Sequence, residues 1–244
     1  MDLPAGAVVL TNVRLSFSSL WEPDTYNNQN PAYRATLMLE KDSADFQAQF
    51  DRVMAAIRDV AAQAWPSQHE SLLKSLYAEG KIAFKDGDKF KPEYFAGSWF
   101  VSARRPEKNG PPLVLDNTKD ELGRWRQLTP PEGPRRIYDG CYVNAMVRFW
   151  AQDPEGRRPS GYGKRINAAL ESVQFRAPGE AFGAKITPEM ALSAFTDDMV
   201  PEDVNNAFAP NAPGGVPEAP AGAGSGPFDL GESAPVDDDD DTPF

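Results

Sequence analysis

The residues of this chain best suited to chemistry are flat rings set beside cations. Arg124-Trp125-Arg126 holds an indole between two guanidinium groups, and Gly161-Tyr162-Gly163-Lys164-Arg165 sets a phenol between glycines ahead of two cations. Lys89-Phe90-Lys91 is a third such cluster, with Trp99, Phe100, Arg104 and Arg105 close behind it. Tyr142, Arg148 and Trp150 share one face of a later alternating stretch, and Arg34 lies on the polar side of an early one. Cations that follow phosphates and rings on which bases stack, at about 1–3 kcal/mol per base, are what an unpaired nucleic-acid strand asks of a protein. Taken singly, each ring is read first as core packing. The arginines flanking Trp125 and the glycines flanking Tyr162 make those two rings harder to place in a core.

Other chemistries find less to work with. No G-x-x-x-x-G-K-[ST] phosphate loop and no G-x-S-x-G elbow occurs. Asn117-Thr118-Lys119-Asp120 has the wrong order for a guanine-reading box and reads as a turn. One cysteine, Cys141, excludes an internal disulfide, and with a single histidine, His69, it makes no zinc site. His69 falls in the first turn of a helix and reads as a surface residue. Asp116, Asp120 and Glu121 could hold a magnesium ion for nuclease work, which is the enzymatic alternative. Acidic residues in loops are mostly just solvated, so neither catalysis nor a cofactor or metal is expected.

Charge is divided along the chain. The net charge of −11 comes almost wholly from residues after Pro201, which contain ten acidic residues and no Lys or Arg. Residues 81–176 hold 18 basic against 12 acidic residues. A basic middle joined to an acidic end is the pattern of a polyanion-binding body with a polyanion-like tail. No apolar run reaches 18 residues and the first residues lack a signal-peptide pattern, so a cytosolic protein away from membranes is expected.

The elements that must position these residues are short and mostly extended. Val9, Thr11, Val13, Leu15 and Phe17 alternate with polar residues and predict a strand with those five on one face. Trp21 to Pro31 reads as a polar loop, and Tyr33, Ala35, Leu37 and Leu39 as a second strand. Asp42 or Ser43 should cap a helix with Phe46, Phe50, Val53, Ile57 and Val60 on one face, ended by Pro66. Ser67-Gln68-His69-Glu70 has capping-box spacing and should start a second helix ending near Gly80. Trp99 to Arg104 is a third strand, Leu113 to Leu115 a short return strand, and 116–140 polar and irregular. Cys141 to Trp150 and Ile166 to Phe175 are the last strands, the latter slipping phase near Glu171-Ser172 as at a bulge. Thr187-Pro188 should open a short helix to about Phe195. Five or six short strands interrupted by one helical pair predict a mainly β fold. The first choice is a five-stranded OB-fold Greek-key barrel over 1–200 with a helical insertion near 43–80, and an α+β sandwich is the alternative. A disordered Pro/Ala/Gly linker over 201–236 and an acidic tip over 237–244 complete the expected organisation.

That tip, Asp237-Asp238-Asp239-Asp240-Asp241-Thr242-Pro243-Phe244, combines a run of carboxylates with one large aromatic. Solubility needs no such ring, whereas docking into a basic, hydrophobic-floored pocket does. The ending resembles the tails of bacterial and phage single-stranded DNA-binding proteins. The segments Leu10-Thr11-Asn12-Val13-Arg14-Leu15-Ser16-Phe17, Tyr138 to Ala145 and Gly161 to Leu170, with Gln174, Phe175, Gly179, Glu180 and Gly183, resemble a phage-borne family of such proteins. The resemblance implies an OB-fold, sequence-tolerant binding of single-stranded DNA, and a role in replication, recombination or repair inside the bacterial host. It also implies a tail that competes with DNA and recruits a polymerase, helicase or recombinase through Asp237 to Asp241, Pro243 and Phe244. A homodimer stays open, as does a protein-only adaptor acting through the tail alone.

Overall fold

A computed structural model describes residues 3–25, 30–90, 93–152 and 163–182. The predicted helix from Thr187, the linker and the acidic tip lie outside the described residues.

Period-two patterning produces the expected strands, and their pairing closes a barrel. The strands are β1 (Ala7–Asp24), β2 (Ala32–Glu40), β3 (Phe84–Asp86), β4 (Ser98–Pro106), β5 (Leu113–Lys119), β6 (Trp125–Gln127), β7 (Tyr142–Gln152) and β8 (Arg165–Ala177). The sheet runs β3-β4-β2-β1-β7-β8-β5-β6, and a parallel contact between β4 and β8 at Arg104 and Ala169 closes it. The five strands β1, β2, β4, β7 and β8 therefore form a ring with no free edge, the Greek-key connectivity of an OB-fold. The helices α1 (Phe46–Ala64) and α2 (His69–Ala78) are inserted between β2 and β4, as the sequence predicts.

The barrel is filled by Leu10, Val13, Leu15, Leu37, Leu39, Val101, Val143, Val147, Phe149, Leu170 and Val173, all buried. Helix α1 lays Val53, Ile57, Val60 and Ala61 on it. Trp99 packs with Phe50 and Phe84 in the seam between helix and barrel, with ring centroids 5.0 and 4.7 Å away.

Bulges decide which side chains point inward. Pairing of β1 with β7 shifts between Leu10 and Val13, and Asn12 takes φ +54° there. A slip of one residue exchanges the two faces of a strand. Val8 and Leu10 are thus buried before the bulge and Val13 and Leu15 after it, so the single face predicted from Val9 to Phe17 is not continuous. Gln49 of α1 serves the backbone that the bulge strands. Its amide nitrogen donates to the Thr11 carbonyl and its amide oxygen accepts from the Thr11 N–H, both at 2.8 Å. A second shift lies between Ser16 and Ser19, where Phe17 has φ +46° and its ring is turned outward. In β8 the shift between Met146 and Val147 of its partner leaves Glu171 unpaired, at the predicted bulge.

Several boundaries differ from those expected. Strand β1 continues through Trp21 to Asp24, where a loop was expected, because β2 pairs with it as far as Asp24. Asp45 stands at the N-cap of α1 instead of Asp42 or Ser43, and the Ser43 carbonyl accepts the Phe46 N–H. Gln68 takes that position for α2, and neither cap residue makes a side-chain capping bond. Strand β5 does not return along β4. It runs parallel to β8 from Leu113, opposite Ser172, and so continues along β8 beyond the point that β4 reaches. The expected irregular stretch after Asp116 contains the rest of β5, the short strand β6 and the helix α3 (Glu132–Arg136).

Candidate nucleic-acid interface

The outer face of β1, β2 and β4 is the least ordinary surface of the barrel. Alternation against Ala35, Leu37, Val101 and Ala103 turns Arg34, Thr36, Met38, Phe100, Ser102 and Arg104 outward. Register pairs them across the strands as Arg34 with Arg104, Thr36 with Ser102 and Met38 with Phe100. Arg14 of β1 pairs opposite Met38, and Ser19 opposite Arg34. One end of the face is cationic and the other aromatic.

The aromatic end is roofed by residues 87–90 and 93–97. Phe95 stacks on Phe100 at 4.3 Å between centroids and 19° between planes, and Phe90 meets the same ring edge-on at 5.4 Å. Phe182 packs on this cluster from the far end of the described chain, with the Arg14 guanidinium 4.3 Å over its ring. The roof is pinned at its base. Lys41 donates to Asp86 at 2.6 Å and to Asp88 at 2.5 Å, and Asp88 accepts the Gly97 N–H at 2.7 Å. Burial works against the Lys41 charge, but those two carboxylates outweigh it and raise its pKa. A Cβ on Gly87 would lie 2.0 Å from the Phe95 carbonyl oxygen, so the roof closes this tightly only over a glycine. Phe17 and Tyr94 lie on top of the cluster, 52% and 43% exposed, with centroids 5.3 Å apart.

The residues singled out from sequence fall into distinct places. Arg34, Arg104, Phe90 and Phe100 belong to this face, with Lys89 exposed on the roof. Phe100 is only 2% exposed and forms the floor of the ring stack, unlike the open platform expected of it. Trp99 faces the helices, on the opposite side of β4 from Phe100. Tyr142 points over β1, its hydroxyl 3.3 Å from the Glu40 carboxylate; burial first, and then that carboxylate, raise its pKa. Arg148 and Trp150 alternate with buried Val147 and Phe149 on the outside of β7. Arg105 is a strut for the turn after β4, donating to the carbonyls of Gly110 and Asn109 and to Glu171 at 2.9–3.0 Å. Arg148 donates to the same Glu171 at 3.1 Å, so the bulge carboxylate binds two of the predicted cations. Lys164 reaches over the Trp65 ring at 5.9 Å, and Arg165 pairs opposite Gln152 at the end of β7. Lys91 and Tyr162 lie outside the described residues.

Trp125 forms a second aromatic site at the sheet edge, 49% exposed, with Lys119 Nζ 4.9 Å over its ring. Its flanking arginines are engaged. Arg124 pairs with Asp120 at 2.9 Å, and Arg126 pairs with Asp116 and, at 2.8 Å, with Glu132. Asp116 is 1% exposed and also accepts from Thr118 at 3.0 Å, Arg136 at 3.2 Å and the Asn117 N–H at 2.8 Å. Burial pushes the Asp116 carboxyl up, but these donors, Arg126 foremost, outweigh it and hold its pKa at about 2. Asp120 accepts from the Leu122 and Arg124 N–H groups and from the Arg124 side chain. Of the carboxylates suggested for a magnesium nuclease, Asp116 and Asp120 are thus taken up by arginines, a hydroxyl and turn amides, and Glu121 is exposed. No group of three potential metal ligands occurs among the described residues.

Residues 6–205 match the family described as Enterobacter phage Enc34, ssDNA-binding protein. The chain belongs to that family. Protein p50 of Acyrthosiphon pisum secondary endosymbiont phage 1 is 32% identical over 178 residues, covering 72% of this chain and 85% of the relative. The single-stranded DNA-binding protein from bacteriophage Enc34 in complex with ssDNA superposes with a TM-score of 0.57 at 29% identity, over 73% of this chain and 90% of that one. The same phage protein without DNA gives 0.55 at 29% identity, over 75% and 89%. Membership in the Enc34 family and the OB-fold agree with the resemblance read from the sequence.

Sequence reasoning passed over Phe17 and Tyr94. Phe17 closes an apolar alternation and so reads as core, and Tyr94 lies in the loop between the Lys89-Phe90-Lys91 cluster and the strand from Trp99, where no pattern singles it out. Two signals were present: Phe17 is followed by Ser18-Ser19, which breaks the alternation, and Tyr94-Phe95 puts adjacent rings in a polar loop.

Proposed function

We propose that this protein coats single-stranded DNA during phage replication and recombination, without strong sequence preference and without catalysis. The reading rests on one observation above all. In a chain of the Enc34 family, the outer face of β1, β2 and β4 carries Arg34 and Arg104 at one end and a ring cluster at the other. OB-folds bind oligonucleotides on this same face and in the loops at its ends. Arg34 and Arg104 would meet phosphates, as would Lys89, Lys91, Lys164 and Arg165. Phe90, Trp125, Trp150 and Tyr162 would offer rings to bases.

The acidic tip, Asp237 to Phe244, competes with DNA for the cationic face and, once displaced, recruits replication or recombination proteins by way of Phe244. The protein works in the cytoplasm of the bacterial host. Fluorescence anisotropy of labelled oligo-dT across a salt series, with the full chain and with residues 1–236, tests both parts. Salt-sensitive, sub-micromolar binding that tightens when the tip is removed, with weak duplex binding, is expected. Absence of binding by either form refutes the function. Equal affinities of the two forms refute the competition.

A further inference from the structure

We propose that Phe17 and Tyr94 form a two-ring stacking step for unpaired bases of a single strand crossing the outer face of β1, β2 and β4. The inference rests on the single-strand reading above and names a subsite within it.

The first argument is what Phe17 costs the fold. Its φ of +46° lies in the left-handed region, where a bulky side chain is a genuine outlier. Glycine or asparagine would take that turn without strain and without leaving a phenyl ring in water. A strained ring can be compensated by burial, yet this one is 52% exposed. Strain kept for an exposed aromatic is the mark of a functional position.

The second argument is what holds the pair. Tyr94 lies 4.4 Å from Phe95, and Phe95 lies flat on Phe100, so the exposed rings rest on a supported column. Phe17 itself reaches Phe95 at 6.0 Å. The pins at Gly87, Asp88 and Lys41 fix the height of the roof, and with it the position of Tyr94.

The third argument is charge. Phe17 leads into Ser19, which pairs opposite Arg34, and Arg34 pairs opposite Arg104. Arg34 and Arg104 therefore lie one strand and two strands away from Phe17, on the same face, with Arg104 also donating to the Asn30 carbonyl at 2.7 Å. Rings beside cations suit a base attached to its phosphate better than a purely apolar partner. Duplex bases are already stacked on one another, so this step would favour the unpaired strand.

The test uses the full chain and the variants Phe17→Leu, Tyr94→Leu and Phe17→Trp. Each is titrated on oligo-dT and on an abasic oligonucleotide of the same length, with sedimentation velocity on the free proteins. Each leucine variant should lose about five- to a hundred-fold in affinity for oligo-dT, the range of one lost stacking contact. The tryptophan variant should bind like the wild type. On the abasic strand all four proteins should bind alike, because only phosphates remain to be read. Leucine variants that bind oligo-dT as the wild type does would overturn the proposal and leave the single-strand reading intact. An equal loss on the abasic strand, or a change in assembly state that accounts for the loss, would overturn it too. Failure of the wild type to bind oligo-dT would refute the broader reading along with it.

Discussion

At the scale of single residues, two positions carry opposite instructions. Asp116 is buried because its charge is needed: four donors converge on it, two of them guanidinium groups. Asp116→Ala should cost about 2–3 kcal/mol in chemical denaturation, below the range for a fully enclosed pair because Arg126 and Arg136 keep access to water. Its carboxyl titrates at about 2 in the fold and near 3.9 when unfolded. A depressed folded value means that the stabilisation is complete above about pH 4 and is lost as pH falls through 2. Acid unfolding of the wild type should therefore steepen in that window, and the steepening should diminish in Asp116→Asn. Phe17 shows the reverse. Its backbone is strained and its ring exposed, so Phe17→Gly should unfold no earlier than the wild type on heating while binding oligo-dT more weakly.

Bulges and close contacts decide matters at the scale of elements. Strand β1 carries three register shifts, between Leu10 and Val13, between Ser16 and Ser19 and between Ser19 and Asp24, and the first two exchange its faces. The first is supported by Gln49 from α1, and the second delivers Phe17 to the outside. The roof over the aromatic end depends on Gly87, whose missing Cβ lets the Phe95 carbonyl approach. Gly87→Ala should lift the roof and loosen Phe95 from Phe100. We expect faster proteolysis between Gly87 and Gly97, together with a loss of oligo-dT affinity. Lys41→Met should act in the same direction but more weakly. It leaves the bond from the Gly97 N–H to Asp88 in place and removes ion pairs that water screens in part.

For the whole molecule, the division of charge sets the behaviour in salt. Binding that neutralises phosphates weakens with salt by a slope of about 0.7 per contact on single strands. Arg34→Ala and Arg104→Ala should each lower that slope by about one contact, uniformly across oligonucleotide sequences. Arg126→Ala should leave the slope nearly unchanged while lowering stability, because its guanidinium is committed to Asp116 and Glu132. Removing Asp237 to Phe244 should tighten binding most at low salt, where a tethered polyanion competes best, and should abolish capture of partner proteins in pull-downs from infected cells.

Local order alone determined much of this protein. Period-two alternation specified the barrel strands, period 3.6 specified the inserted helical pair, and the phase slip at Glu171 marked its own bulge, because nearest neighbours along the chain set these patterns. The basic middle and acidic end, and the resemblance carried by segments such as Tyr138 to Ala145, were equally legible and led to the right family. What needed the tertiary structure was every decision made by residues far apart in sequence. The alternation ending at Phe17 points inward until β2 and β7 impose their registers and turn the ring out. Arg105 and Arg148 look like open cations until the Glu171 bulge brings one carboxylate to both. Arg126 looks like a flank for Trp125 until Asp116, ten residues away, takes it. Leu113 to Leu115 look like a return strand until β8 offers the edge that β4 leaves unused. Side-chain direction and charge pairing depend on which strands meet, and that is decided only when the barrel closes.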